Sequence, residues 1–323
     1  MPKLIQNCET LSEFEEMRSA GPNAGIIKGQ VVSAPRSNQR KEKWARMLHQ
    51  WYRFTHTRSM KLKQRVRKGI PDESRRTAWN RLVEVNVYIS KYPELYEILS
   101  ESDVHIDLSK LTIEAYRNIE LDLYRTFPEM TAFEKGTQQG EVSVARLRRV
   151  LRAYALFDEE VGYCQSMNFI AGTLLLYLPE REAFWHLVVI MQRKSSSLRG
   201  MYRPGMELTV RMLAILDGLI QIHIPVLGQH WKNEGISSSM FATEWYMSLF
   251  TRTFPVEFTA RVLECFLSEG LKVVHRVALA LLLDSEEQLL QSDMGDAMAL
   301  IRNLPNTIHP KTIMDTAFRI KLK

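Results

Sequence analysis

The sequence predicts an all-α protein, a large multi-helix domain, and three observations carry that expectation. Apolar residues recur at three- and four-residue intervals in segment after segment, which places them on one face of a helix. No run of alternating β-branched residues stands at hairpin spacing. Proline and glycine fall mostly between the periodic segments, marking turns. No internal repeat of fixed period is present.

Residues 1–40 hold Gly21-Pro22, Gly25, Gly29 and Pro35 among scattered polar residues and read as a leader, partly disordered, ahead of a domain over 41–323. From Lys41, the residues Trp44, Met47, Leu48, Trp51 and Phe54 recur at helical spacing with Lys43, Arg46, His49 and Arg53 between them. They predict one amphipathic helix with a basic outer face. A helix beginning near Ile119 is expected to end close to Arg125, because Pro128 biases Phe127 away from helical backbone. Leu147, Val150, Leu151 and Tyr154 mark one face of the next helix, and Arg146, Arg148, Arg149 and Arg152 its other face, read as solvated surface. Phe169 to Leu178 is densely apolar but shorter than the roughly 20 residues a membrane span needs. It predicts a buried core helix, reached through the polar cluster Tyr163-Cys164-Gln165-Ser166-Met167-Asn168. Three further helices are marked by Phe184, Leu187, Val188 and Met191; by Leu208, Met212, Leu213, Leu216 and Ile220; and by Phe258, Val262, Cys265 and Phe266.

Composition narrows the function. Apolar content of 45% and charged content of 25% are those of a soluble globular protein. Cys8, Cys164 and Cys265 are few, odd in number and form no CxxC, so neither a disulfide framework nor a zinc site is expected. The opening "MPKLIQNCET" lacks the features of a secretory signal, and a cytoplasmic setting follows. The chain carries no GxxxxGK[ST] loop, HExxH, GxSxG or EF-hand loop. Its histidines are dispersed, and His223 and His230 read as surface or satisfied core residues rather than metal ligands. Of the net charge of +6, the stretch from Arg36 to Lys68 holds twelve Lys or Arg against Glu42 alone. Such a stretch is first a solvated face, and secondarily a surface for phospholipid headgroups, an acidic partner or nucleic acid. Trp44 and Trp51 lie on the apolar stripe, which favours packing on the domain.

Three motifs in fixed order carry a resemblance: "RKGIPDESRRTAW" at 67–79, "IELDLYRTFP" at 119–128 and "GYCQSMN" at 162–168. Together they resemble the TBC domain of Rab GTPase-activating proteins. Gly69, Ile70, Pro71, Arg75 and Trp79 match that family's first element, Ile119, Asp122, Arg125, Thr126 and Pro128 its second, and Tyr163 and Gln165 its third. Flanking segments extend the similarity from about Lys41 to at least Leu283. The chain departs from the family's usual residues at Ser74, Arg76, Ser166 and Leu263-Glu264, the last two standing where the family commonly has Gly and Trp-Asp respectively.

The resemblance implies an activator that supplies Arg125 as an arginine finger and Gln165 as a glutamine finger to a Rab-family small GTPase. Asp122, Tyr163 and Arg75 become supporting or partner-binding residues, with Asp122 steering Arg125 or pairing with another arginine such as Arg75. No metal or cofactor of the chain's own is implied, since the partner GTPase carries GTP and Mg. The residue types suit the chemistry. Phosphoryl transfer from GTP passes through a loose transition state, so catalysis is positioning and charge stabilisation. Arginine offers a permanent cation with a planar fork of donors, and a glutamine amide both accepts from water and donates to phosphate. On spacing alone, Arg125 is a cation at a helix C-terminus and Gln165 a capping or solvated residue. The runner-up is a non-catalytic helical GTPase-binding module or scaffold in membrane traffic. Nucleic acid is not an expected partner, and peripheral association with endomembranes through the basic segment is a further expectation.

Overall fold

The computed structural model describes residues 34–57, 59–101, 110–193 and 197–322, and every regular element among them is helical. The chain runs through α1 (Ala34–His49), α2 (Trp51–His56), α3 (Ser59–Arg67), α4 (Asp72–Leu82), α5 (Val85–Lys91), α6 (Leu95–Glu101) and α7 (Lys110–Leu123). It continues through α8 (Gln138–Phe157), α9 (Met167–Leu175), α10 (Glu180–Gln192), α11 (Arg199–Tyr202), α12 (Glu207–His223) and α13 (Pro225–Glu234). The last part holds α14 (Ala242–Met247), α15 (Val256–Glu269), α16 (Lys272–Asp284), α17 (Glu286–Leu290), α18 (Met294–Thr307) and α19 (Pro310–Arg319).

Two helices act as hubs. α8 packs against α6, α7, α9 and α10, and Thr137 caps its start by accepting from the Gly140 amide at 3.0 Å. α16 packs against α12, α14, α15 and α19. α15 packs on α3 and α4 as well as α16, and Arg67 of α3 fixes that contact by donating to both carboxylate oxygens of Glu269 at 2.7 and 2.5 Å. The short apolar run forms α9, all nine of whose residues are buried, as a helix without a polar face must be.

Two expectations change. The predicted helix from Lys41 begins earlier, at Ala34, and breaks at Gln50 into α1 and α2. Pro35 stands in the first turn, where a missing N–H costs nothing, so a residue that reads as a breaker is compatible with a helix start. Arg40, assigned to the leader, anchors α1: its Nε donates to the Gly69 carbonyl at 3.1 Å and its Nη2 to the Lys68 carbonyl at 2.6 Å. Trp44 Nε1 shares the Gly69 carbonyl at 3.2 Å, and Trp44, Met47 and Phe54 are buried.

The arginine face of α8 is a clamp rather than a solvated surface. Arg148 forks onto Glu120 of α7 at 2.8 and 3.1 Å, with Arg152 on the same carboxylate at 3.0 Å. Arg149 forks onto Glu180 of α10 at 2.8 and 2.6 Å, and buried Arg146 donates to the Leu178 carbonyl at 2.9 Å. Fork-on-carboxylate pairs fix orientation as well as proximity, so α7 and α10 are held in register on α8.

Two buried histidines give the fold a pH dependence. His186 lies against the Glu182 carbonyl at 2.8 Å and His275 against the Tyr246 hydroxyl at 2.9 Å, and burial pushes both down to about 4. Folded values below the unfolded one of about 6.5 mean that the unfolded chain binds more protons in between, so their stabilisation is whole above that value and is lost as pH falls toward 4. Thermal melts are therefore expected to hold level near neutrality and drop by several degrees at about pH 5. Equal melting temperatures at both would contradict the neutral, buried assignment.

Candidate functional site

The site is built where the end of α7 meets the start of α9. α7 stops at Leu123, and the Thr126 amide turns back to the Leu123 carbonyl at 3.2 Å. The helix expected to begin near Ile119 begins earlier, at Lys110, and ends two residues before Arg125, close to where it was expected to end; ahead of Pro128, Phe127 takes a left-handed backbone with φ +50°. Its ring packs edge-on against Phe133 and Phe169, with centroids 5.8 and 5.6 Å away. α9 offers Gly172 to this turn, where a Cβ would come within 3.0 Å of the Phe127 ring and 3.1 Å of Thr126 Cγ2. Glycine there lets the turn lie directly on the core helix.

From that turn Arg125 projects with 53% of its side chain exposed, and its guanidinium closes an ion pair on Asp122 Oδ1. Asp122 is buried, and its Oδ2 accepts from the Tyr163 hydroxyl at 2.5 Å. Burial, together with the bond to Asp122, pushes the Tyr163 phenol far up, so it is a fixed donor. A second tie runs alongside. Thr126 Oγ1 donates to the Asp122 carbonyl at 2.7 Å and accepts from Asn168 Nδ2 at 2.8 Å, while Asn168 Oδ1 accepts from the Ser166 amide at 3.1 Å. The second and third motifs thus share one buried polar circuit, from which two side chains emerge exposed, Arg125 and Gln165.

Gln165 precedes the N-cap of α9 and lines a cleft of about 820 Å³, whose far walls include Phe241, Glu244 and Met247 near α14 and Met298 and Arg302 on α18. Arg125 is not among the lining residues and stands outside the cleft. Burial, and after it the charge of Asp122, raises the Cys164 thiol above its ordinary value. The loop leading into the cluster is pinned by Arg199, which forks onto Asp158 at 2.6 and 2.7 Å and also reaches Glu160 at 2.7 Å.

Asp122 and Tyr163 therefore lie at the site, and Arg75 does not. Arg75 is buried, donates through Nε to Glu264 Oε1 at 2.9 Å and through Nη2 to the Ile70 carbonyl at 3.2 Å, and lies 4.7 Å over the Tyr177 ring. It makes no pair with Asp122, because Glu264 and Asp72 already neutralise it. Glu264 also accepts the Ile70 amide at 3.1 Å. Thr126 reads from sequence as a motif match and Asn168 as a packing or supporting group, and neither reading contains the bond between them; the signal available was two polar residues flanking the candidate positions beside an otherwise apolar helix. Among the described residues, no group of three or more His, Cys, Asp or Glu is arranged to hold a metal ion.

The Rab-GTPase-TBC domain family model matches residues 72–290, which take in the whole circuit and the cleft-lining Gln165. The chain belongs to the Rab-GTPase-TBC domain family. The human ecotropic viral integration site 5 protein homolog is 32% identical over 281 residues, covering 86% of this chain and 33% of that protein. The Rab GTPase-activating protein tbc-11 of Caenorhabditis elegans is 33% identical over 271 residues, covering 84% of this chain and 28% of that protein. The chain thus spans about a third of the length of these relatives. The crystal structure of the Chlamydomonas flagellar RabGAP TBC domain superposes with a TM-score of 0.71 at 28% identity, covering 90% of this chain and 97% of that one.

In this TBC domain Ser166 holds φ +93° at a buried position, a conformation that costs a side-chain-bearing residue on the order of 1 kcal/mol. Its backbone amide donates to Asn168 Oδ1, a bond that glycine retains. Ser166→Gly is expected to raise the melting temperature by roughly 2 °C. A lowered melting temperature would show that the serine hydroxyl, not the backbone, secures the turn.

Proposed function

We propose that this TBC domain accelerates GTP hydrolysis by a Rab-type small GTPase, with Arg125 and Gln165 acting in trans on nucleotide bound to the partner. The observation that carries the reading is the buried circuit with two exposed side chains beside it, Arg125 ion-paired to its Asp122 and Gln165 on the segment between its Tyr163 and Asn168. Asp122, Tyr163, Thr126 and Asn168 hold the bases of both side chains in one frame, while the functional ends stay accessible. Arg125 exchanges Asp122 for the charge that develops on the transferred phosphoryl group, and an arginine in that role is worth roughly 10³ to 10⁵ in rate. Gln165 orients the attacking water through its carbonyl and donates its amide N–H to a γ-phosphate oxygen. GTP and Mg belong to the GTPase, and the chain contributes neither.

The cleft beside Gln165 receives the GTPase surface next to the nucleotide. Peripheral placement on an endomembrane belongs to the same reading, because an activator works where its GTPase is held. The non-catalytic binding module makes a different forecast: it would bind GTP-loaded GTPase without changing hydrolysis.

Single-turnover phosphate release from a panel of GTP-loaded Rab proteins separates the readings. The wild-type chain is expected to accelerate one or more of them, and Arg125→Lys to lose nearly all of that with its melting temperature unchanged, since lysine keeps charge without the fork. A cognate GTPase whose own catalytic glutamine is replaced by alanine should retain much of the acceleration, and Gln165→Ala should then abolish it. A fully active Gln165→Ala variant, together with no effect of wild type on the glutamine-less GTPase, would remove the glutamine finger from the account.

A further inference from the structure

The basic stretch separates into two populations. Arg40 is committed to the carbonyls of Lys68 and Gly69, Lys41 pairs with Glu73 at 2.9 Å, and Arg67 is committed to Glu269. Arg46, Arg53, Lys61, Lys63, Arg65 and Lys68 form no ion pair among the described residues. The arginines of α8, by contrast, are each taken up by a carboxylate or carbonyl. The tryptophans of the segment face inward, Trp44 buried and Trp51 half-buried against the core. The apolar groups left outside are others: Tyr52 is 74% exposed and Met60 64%, each beside a cation, Arg53 and Lys61. Tyr52 stacks on His56 of its own helix at 3.9 Å.

We infer that the outer face of α1–α3 is a docking surface for an anionic lipid bilayer. The cations supply long-range attraction to negatively charged headgroups, which acts within about a Debye length of the surface. Tyr52 and Met60 supply the short-range part: an amphipathic ring suits the headgroup layer, and a flexible thioether fits the acyl boundary just below it. That pairing favours a bilayer over nucleic acid, whose phosphodiester backbone offers methionine nothing. The helices are already locked to the domain through Arg40, Trp44 and Arg67, so no ordering of the segment opposes binding. This inference deepens the peripheral-membrane part of the proposed function and is independent of catalysis.

Co-sedimentation of the full chain with vesicles of phosphatidylcholine, with and without phosphatidylserine, tests it. The wild-type chain is expected to pellet only with the phosphatidylserine vesicles and to be released as salt rises. Neutralising Arg46→Gln, Arg53→Gln and Lys61→Gln together should lower the partition coefficient on the order of 100-fold. Tyr52→Ser with Met60→Ser should lower it roughly tenfold while leaving the salt dependence unchanged. All these positions are exposed, so melting temperatures should match wild type, and GTPase activation in solution should be unaltered. Failure of wild type to pellet at low salt would overturn the inference. So would pelleting by either variant at the wild-type level, or binding to nucleic acid in place of vesicles. A chain that pellets but activates no GTPase would overturn the catalytic reading alone; one that activates but never pellets would overturn this one alone.

Discussion

The buried hydrogen bond from the Tyr163 hydroxyl to Asp122 is the contact on which the site depends. A carboxylate taken out of water is tolerated only when its oxygens are engaged, and Asp122 divides its two between Tyr163 and Arg125. One residue thereby fixes the base of the α9 cluster and the direction of an exposed guanidinium. The parallel tie from Thr126 to Asn168 makes the junction two-point, which resists rotation as well as separation. Gln165 sits between the two anchor residues of its own segment, Tyr163 and Asn168, and inherits their position.

The rest of the fold keeps those two segments from drifting. α7, which ends in the arginine turn, is clamped to α8 by Arg148 and Arg152 on Glu120, and α9 packs on the same α8. Fork-on-carboxylate pairs fix geometry more than they add stability where the carboxylate is partly exposed, so the clamp acts chiefly by holding register. Glu264 performs a similar task further away, tying Arg75 and the Ile70 amide to α15. The position of the turn that carries Arg125 therefore rests on arginines of α8 that grip Glu120 on α7.

That dependence marks what could be read from sequence. A short apolar run marked α9, Pro128 marked the termination near Arg125 and helical period marked the inward stripe of α1, because each is a relation among near neighbours along the chain. The candidate pair Arg125 and Gln165 came from motif resemblance, and their spacing alone carried no such message. Pairings across the fold were not legible. Arg75 and Glu264 are 189 positions apart, and Arg149 and Glu180 are 31 apart, so an arginine face read as solvated became a clamp and the partner of the supporting Arg75 stayed hidden. The departure at Leu263-Glu264 keeps an acid, and that acid is Arg75's partner. Backbone conformation was equally hidden: nothing in the letters of YCQSMN announces the left-handed Ser166.

The most direct measurement is a double-mutant cycle on single-turnover GTP hydrolysis, pairing Tyr163→Phe with Arg125→Lys. Loss of the hydroxyl frees Asp122 and misdirects the guanidinium, so Tyr163→Phe is expected to slow hydrolysis roughly tenfold in the wild-type background. Where lysine has already replaced the finger, the same change should cost less than about twofold, because the residue it acts through is gone. An equal cost in both backgrounds would contradict the shared frame, and Tyr163 would then act on hydrolysis by a route that does not pass through Asp122 and Arg125.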